Sequence, residues 1–174
     1  FLGGLFISID LGYIGSIFFL FWPILDCCDG TVARFNKKGG FSGSFIDALF
    51  GYFSLNMVFI PLGILSELRE TVFFSPIFEN INFIIIGSFA SVFDLLSRLS
   101  YQKYLNYFND DTFSKQKLSK SNYRRIGSEL ALAGFLSPLI FFSILYNFTH
   151  FVLIFYFLVN LTGYVLSVSK LIFK

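Results

Sequence analysis

An all-α bundle of membrane-spanning helices is the fold class this sequence predicts, and three observations predict it. Of 174 residues, 55% are hydrophobic and only 14% charged, with Phe alone contributing 27. A water-soluble domain of this size needs far more polar surface. The apolar residues also run continuously for about 20 positions at a time, the length of a bilayer-crossing helix. The alternation expected of a β-barrel strand is absent.

Five spans follow in order, at about 1–33, 43–65, 76–97, 126–146 and 150–170. A short loop around Phe35–Ser42 joins the first two, and a second around Ser66–Ser75 joins the next pair. A long polar segment, Arg98–Arg125, separates the third from the fourth, and a tight turn near Asn147 closes the last connection. Pro23, Pro61, Pro76 and Pro138 fall within or near the ends of spans, where membrane helices tolerate them. Within the polar segment, Tyr101–Ser121 has room for a helix lying on the membrane surface. Its basic residues otherwise suit anionic headgroups.

Charge placement orients the spans. Alternating the loops between two sides puts 12 of the 13 Lys and Arg residues on one side and Arg69 alone on the other. The basic side is therefore expected to be cytoplasmic, giving a multi-pass integral membrane protein. Phe1 would then begin on the outer side. Residue 1 is not Met and no cleavable signal pattern is visible, so residues 1–174 read as a single domain lacking its start, with the first of six helices upstream.

Chemistry concentrates in one stretch, "DCCDGTVARFNKKGGFSGSFIDALFG". Asp26, Asp29, Gly30, Ala33 and Arg34 share one face of a helix by their spacing, and Gly43, Asp47 and Gly51 share one face of the next. A short loop makes these helices antiparallel neighbours whose polar faces can meet. Three carboxylates brought together repel one another unless they neutralise or recruit cations. All-oxygen ligation suits Mg²⁺ or Mn²⁺, and magnesium commonly shares its sphere with substrate phosphates. Gly30 and Ala33 leave the helix face bare, and Arg34 offers a fork for phosphate oxygens. The bland alternative is that small residues serve helix packing and the aspartates face water. By contrast, the adjacent Cys27 and Cys28 have neither disulfide-framework nor zinc spacing. The lone His150 falls in a short connection and is given no chemical role.

At these residues the chain resembles the CDP-alcohol phosphotransferase family, whose signature reads D-x-x-D-G-x-x-A-R, eight residues, G, three residues, D, three residues, D. Asp26, Asp29, Gly30, Ala33, Arg34, Gly43 and Asp47 match seven defined positions across 22 residues without a gap. The resemblance implies a six-helix membrane core, and an acceptor hydroxyl that attacks the phosphate of a CDP-linked alcohol, forming a phosphodiester and releasing CMP. By position, Asp26, Asp29 and Asp47 would hold Mg²⁺ or Mn²⁺, while Gly30, Ala33, Arg34 and Gly43 would shape the CDP pocket. A homodimer and membrane lipids are the implied partners, with no nucleic acid.

The last Asp of the signature is Gly51 here, where the family's proposed general base stands. Loss of such a base typically costs about 10²- to 10⁴-fold in rate. Three explanations stand open: another group serves as base, the metal occupancy and acceptor differ, or the chain is a catalytically weak or inactive relative that still binds CDP-lipid and metal. Tyr52 and Ser54 are near in sequence, but Tyr52 lies about 100° around the helix from Gly51. Asp94 and Glu129 lie at a suitable depth, with salt bridges to Arg98 and Arg125 as their plain alternative. Asp10 and Glu79 lie too far toward the other side. For an acceptor carrying a phosphate, Arg98, Arg124 and Arg125 are the candidate contacts, against simple orientation by positive charge. A transporter or channel would want charged residues spread along a path through the membrane.

Overall fold

The computed structural model describes residues 1–35, 41–69, 81–108 and 132–172, and every regular element among them is helical. The elements are α1 (Leu2–Ser8), α2 (Gly12–Phe35), α3 (Phe41–Leu68), α4 (Phe83–Phe108), α5 (Ser137–Leu145) and α6 (Thr149–Ile172). A wide turn, Leu132–Leu136, leads into α5 and is broken at Gly134, whose φ of −99° and ψ of −119° are not helical. The chain is thus an all-α bundle, as expected. Three of its helices hold stretches long and apolar enough to cross a membrane: Leu49–Leu68, Phe83–Ser100 and Thr149–Ser169. The apolar parts of the other two candidate spans, Gly12–Leu25 and Gly134–Leu145, are shorter. Asp26 ends the first, and the break at Gly134 limits the second.

The first span differs from expectation. Residues 1–33 are not one helix but a hairpin, broken at Asp10, whose φ is +62°. Asp is among the few non-glycine residues that tolerate this left-handed conformation. The Leu11 amide donates to Phe6 O at 2.9 Å and the Asp10 amide to Ile7 O at 3.2 Å, closing the end of α1. α1 then lies antiparallel on α2: Gly3 abuts Gly15, Phe18 and Phe19, and Gly15 abuts Ile7. The Phe6 and Phe18 rings stack at 5.7 Å. The hairpin turn sits beside Arg69, whose Nε donates to Asp10 Oδ1 at 2.9 Å and whose Nη1 donates to Ile144 O at 3.3 Å. Phe1 therefore stands away from the Arg69 end, where the span reading had put it.

Other boundaries shift less. α4 runs on to Phe108, so residues 98–108 are helical rather than the start of a loop. α6 begins at Thr149 and includes His150, which is buried within its first turn rather than lying in a connection. The turn near Asn147 is present: Asn147 has a φ of +55°, and the Phe148 amide reaches back to Ser143 O at 2.9 Å. Asn is a common left-handed residue at helix ends.

The helices close into a ring in the order α2, α1, α3, α4, α6, α5 and back to α2, with α3 also touching α6. Among the described residues, α2 and α3 share no seam of comparable extent, since α1 lies between them. The buried core is lopsided. Ile7, Phe19, Val58, Phe59, Leu62, Leu65, Phe83, Ile140, Ile144 and Leu153 gather toward the Arg69 end. Polar bonds lock the same end: Ser66 Oγ donates to Thr149 Oγ1 at 2.9 Å, and the Phe83 amide at the start of α4 donates to Glu67 Oε2 at 2.9 Å. In the opposite half, Val32, Phe35, Phe45, Ile46, Leu49 and Phe50 remain exposed.

Candidate functional site

The signature residues occupy the last turns of α2 and the first turns of α3. Helical register says which way these positions turn. On α2 the buried line runs through Gly12, Gly15 and Phe19. At 100° per residue, positions 26, 30 and 33 fall within about 40° of that line, with 29 and 34 about 70° to either side. On α3 the buried residues Val58, Phe59, Pro61, Leu62, Gly63, Leu65 and Ser66 spread over about 200° of the helix face. Positions 47 and 51 fall within that broad arc and 43 at its edge. The α2 half of the motif therefore continues the inward stripe of its helix, while α3 is buried too broadly to give positions 43, 47 and 51 a stripe to follow. The side chains of Asp26, Asp29, Ala33, Arg34 and Asp47 lie outside the described residues, as do all of Arg124, Arg125 and Glu129.

Glycines separate packing from open space. A Cβ on Gly4 would meet Met57 O at 2.5 Å, and one on Gly63 would meet Phe83 O at 2.6 Å; Gly87 abuts Phe59 O just as closely. These are the close backbone approaches that small residues allow between membrane helices. Gly43 and Gly51 are different: a Cβ on either meets nothing within 4 Å among the described residues. Packing through small residues is thus seen at the Arg69 end, and the described residues show no such contact at Gly43 or Gly51.

A polar group on α4 faces Tyr52 of α3. The antiparallel α3–α4 seam sets Gly63 against Phe83, then Phe59 against Gly87, then Tyr52 against Arg98. Arg98 Nε donates to Asp94 Oδ2 at 2.8 Å, and its guanidinium lies over the Tyr52 ring, 5.9 Å from the centroid. The Asp94 side chain is 15% exposed and that of Arg98 36%. The salt bridge named as the plain alternative for Asp94 is thus present, and it commits one carboxylate oxygen. Ser54 Oγ donates to Gly51 O at 2.9 Å and Asn56 Nδ2 to Tyr52 O at 2.9 Å, so both serve the α3 backbone. Sequence reasoning offered the Asp94–Arg98 salt bridge, which the structure forms. It missed the Tyr52–Arg98 contact, which depends on the register between two helices.

Other polar groups stand apart from the motif. His150 packs its ring against Phe151 and Phe83, with centroids at 4.4 and 6.1 Å, at the Arg69 end. Asp10 is held there by Arg69. Cys27 and Cys28 are free thiols in an open groove of about 600 Å³ along α2, with Pro23, Ile24, Thr31 and Val32. By register the centre of that groove lies about 150° around α2 from Asp26, on the other side of the helix. No family model, curated protein or solved structure matches the chain.

Proposed function

We propose that the chain is an integral-membrane transferase that moves a phosphatidyl or substituted phosphoryl group from a CDP-linked alcohol to an acceptor alcohol, with release of CMP, as in phospholipid biosynthesis. The observation that carries this reading is the seven-position match to the CDP-alcohol phosphotransferase signature, whose α2 half falls on the inward stripe of its helix.

The residues fit a hard divalent cation: Asp26, Asp29 and Asp47 offer only oxygen, from two helices. When bound, Mg²⁺ or Mn²⁺ would neutralise the diphosphate and the charge that develops as CMP leaves. Gly30, Ala33 and Gly43 would let the nucleotide lie close to backbone, and Arg34 would pair with a phosphate. The bulk of the rate would then come from positioning and electrostatics. In this reading the basic side of the molecule, and with it the motif, faces the cytoplasm.

A second reading has its own observation. Gly51 carries no base, and the candidates Ser54 and Asp94 are already engaged, with Gly51 O and Arg98. A catalytically weak or inactive relative that binds CDP-lipid and metal would show the same features. One experiment separates the two. Purified protein incubated with CDP-diacylglycerol, Mg²⁺ and a panel of alcohols is expected to release CMP, and Asp26→Asn or Asp47→Asn to stop that release. CMP at background, with CDP-diacylglycerol still raising the melting temperature, selects the second reading. Neither CMP nor a thermal shift rejects both.

A further inference from the structure

We propose that Cys27 and Cys28 form a site of reversible S-acylation, where a long-chain acyl group is carried on sulfur and lies in the open groove along α2. The site does not depend on the transferase reading. Both thiols are free and exposed. They stand just beyond the apolar stretch Gly12–Leu25, on the side that the charge distribution is expected to make cytoplasmic. Cysteines at such a membrane boundary are those that acyl groups modify. The two cannot close on each other: consecutive Cα atoms lie about 3.8 Å apart, short of the roughly 4.4–6.8 Å that a disulfide spans. Their side chains also leave α2 about 100° apart. Both sulfurs therefore stay available.

The groove says what the sulfurs would carry. It has a volume of about 600 Å³ and is lined by Pro23, Ile24, Cys27, Cys28, Thr31 and Val32. Ile24 and Val32 are both more than half exposed, an unfilled apolar wall. Pro23 has no N–H to offer. The Thr31 hydroxyl serves the helix, donating to Cys27 O at 2.7 Å. Such walls give a phosphate or a nucleotide little to bond, whereas a hydrocarbon chain gains by covering them. In the transfer, cysteine Sγ attacks the thioester carbonyl carbon of a long-chain acyl-CoA. The new S–C bond replaces the cysteine S–H bond, the S–C bond to coenzyme A breaks, and the proton leaves on the coenzyme A thiol. One thioester is exchanged for another, so no oxidant or reductant is required. The groove centre lies about 150° around α2 from Asp26, and a chain held there leaves the aspartate face clear.

The test uses the full chain in phosphatidylcholine nanodiscs with palmitoyl-CoA, read by intact-protein mass spectrometry before and after neutral hydroxylamine. The chain has no cysteines besides these two, so Cys27→Ser, Cys28→Ser and the double variant assign the adduct. A hydroxylamine-labile palmitoyl adduct is expected on the wild-type chain and not on the double variant. Any exposed thiol acylates slowly, so the groove is tested separately. Ile24→Asn should slow palmitoylation by about fivefold or more, while leaving the rate of N-ethylmaleimide labelling nearly unchanged. Should Ile24→Asn fail to fold, Val32→Asn is read in the same way. The proposal is overturned if no labile adduct forms, or if the adduct survives in the double variant. It is overturned equally if the wall substitution leaves palmitoylation unchanged, or slows maleimide labelling to the same extent, since neither result leaves the groove a part in holding the chain. Palmitoyl-CoA that slows maleimide labelling without leaving an adduct would overturn it too, making the groove a resting place for loose lipid. None of these outcomes depends on CMP release.

Discussion

A methyl group added at Gly15 would lie 2.5 Å from Gly3 O and 2.6 Å from Ile7 Cγ1, whereas one added at Gly51 would meet nothing within 4 Å among the described residues. The two positions should respond oppositely to Ala. Gly15→Ala is expected to cost about 1–3 kcal/mol by overpacking. Gly51→Ala is expected to leave stability unchanged or raise it by about 0.5–1 kcal/mol through helix propensity. Reversible unfolding in detergent, followed by circular dichroism, measures both. The same open space admits a carboxylate, so Gly51→Asp should fold and should raise CMP release by at least about tenfold if the missing base limits the reaction. An unchanged rate would mean that proton removal is not limiting. The motif was legible because its spacing is written in one short stretch of chain. Which glycines pack and which stand open was not, since that depends on contacts between helices distant in sequence. The Asp94–Arg98 pair was legible for the opposite reason, being local to one turn.

Apolar length alone hid the hairpin at the start of the chain. Residues 1–25 carry one charge, and a run of that composition reads as a single span. The break at Asp10 is stabilised from outside the run, by Arg69 at the end of α3. Arg69 makes three contacts: Asp10, Ile144 O, and the Tyr13 ring 5.5 Å from its centroid. Its side chain is 17% exposed and that of Asp10 59%. Asp10→Asn is therefore expected to cost less than about 1 kcal/mol, in the range of exposed ion pairs. Arg69→Ala should cost more, about 1–3 kcal/mol, because a buried carbonyl loses its donor as well. Thermal unfolding of the two variants tests the order, and equal effects would contradict it. The polar segment after Arg98 misled in the other direction. Its Lys, Gln and Asn residues suggested a loop, yet Leu99, Tyr101, Leu105 and Phe108 keep enough apolar spacing for α4 to continue.

Taken whole, the described residues are tightly filled and hydrogen-bonded at the Arg69 end, away from the turns of α2 and α3 that carry the aspartates. Local stability follows buried contacts. Amide exchange is therefore expected to be slowest in segments 58–66, 83–91 and 140–153 and faster in 26–35 and 41–51. Mg²⁺ with CDP-diacylglycerol should slow the second group selectively; protection spread evenly over the bundle would argue against a site at that end. The central claim is that aspartates from two helices share divalent cations. Mn²⁺ binding by electron paramagnetic resonance, with CDP-diacylglycerol present, tests it most directly. The account predicts that the wild-type chain binds Mn²⁺ and that Asp26→Asn on α2 and Asp47→Asn on α3 each weaken binding by at least about tenfold. Unchanged Mn²⁺ affinity in either folded variant would contradict it.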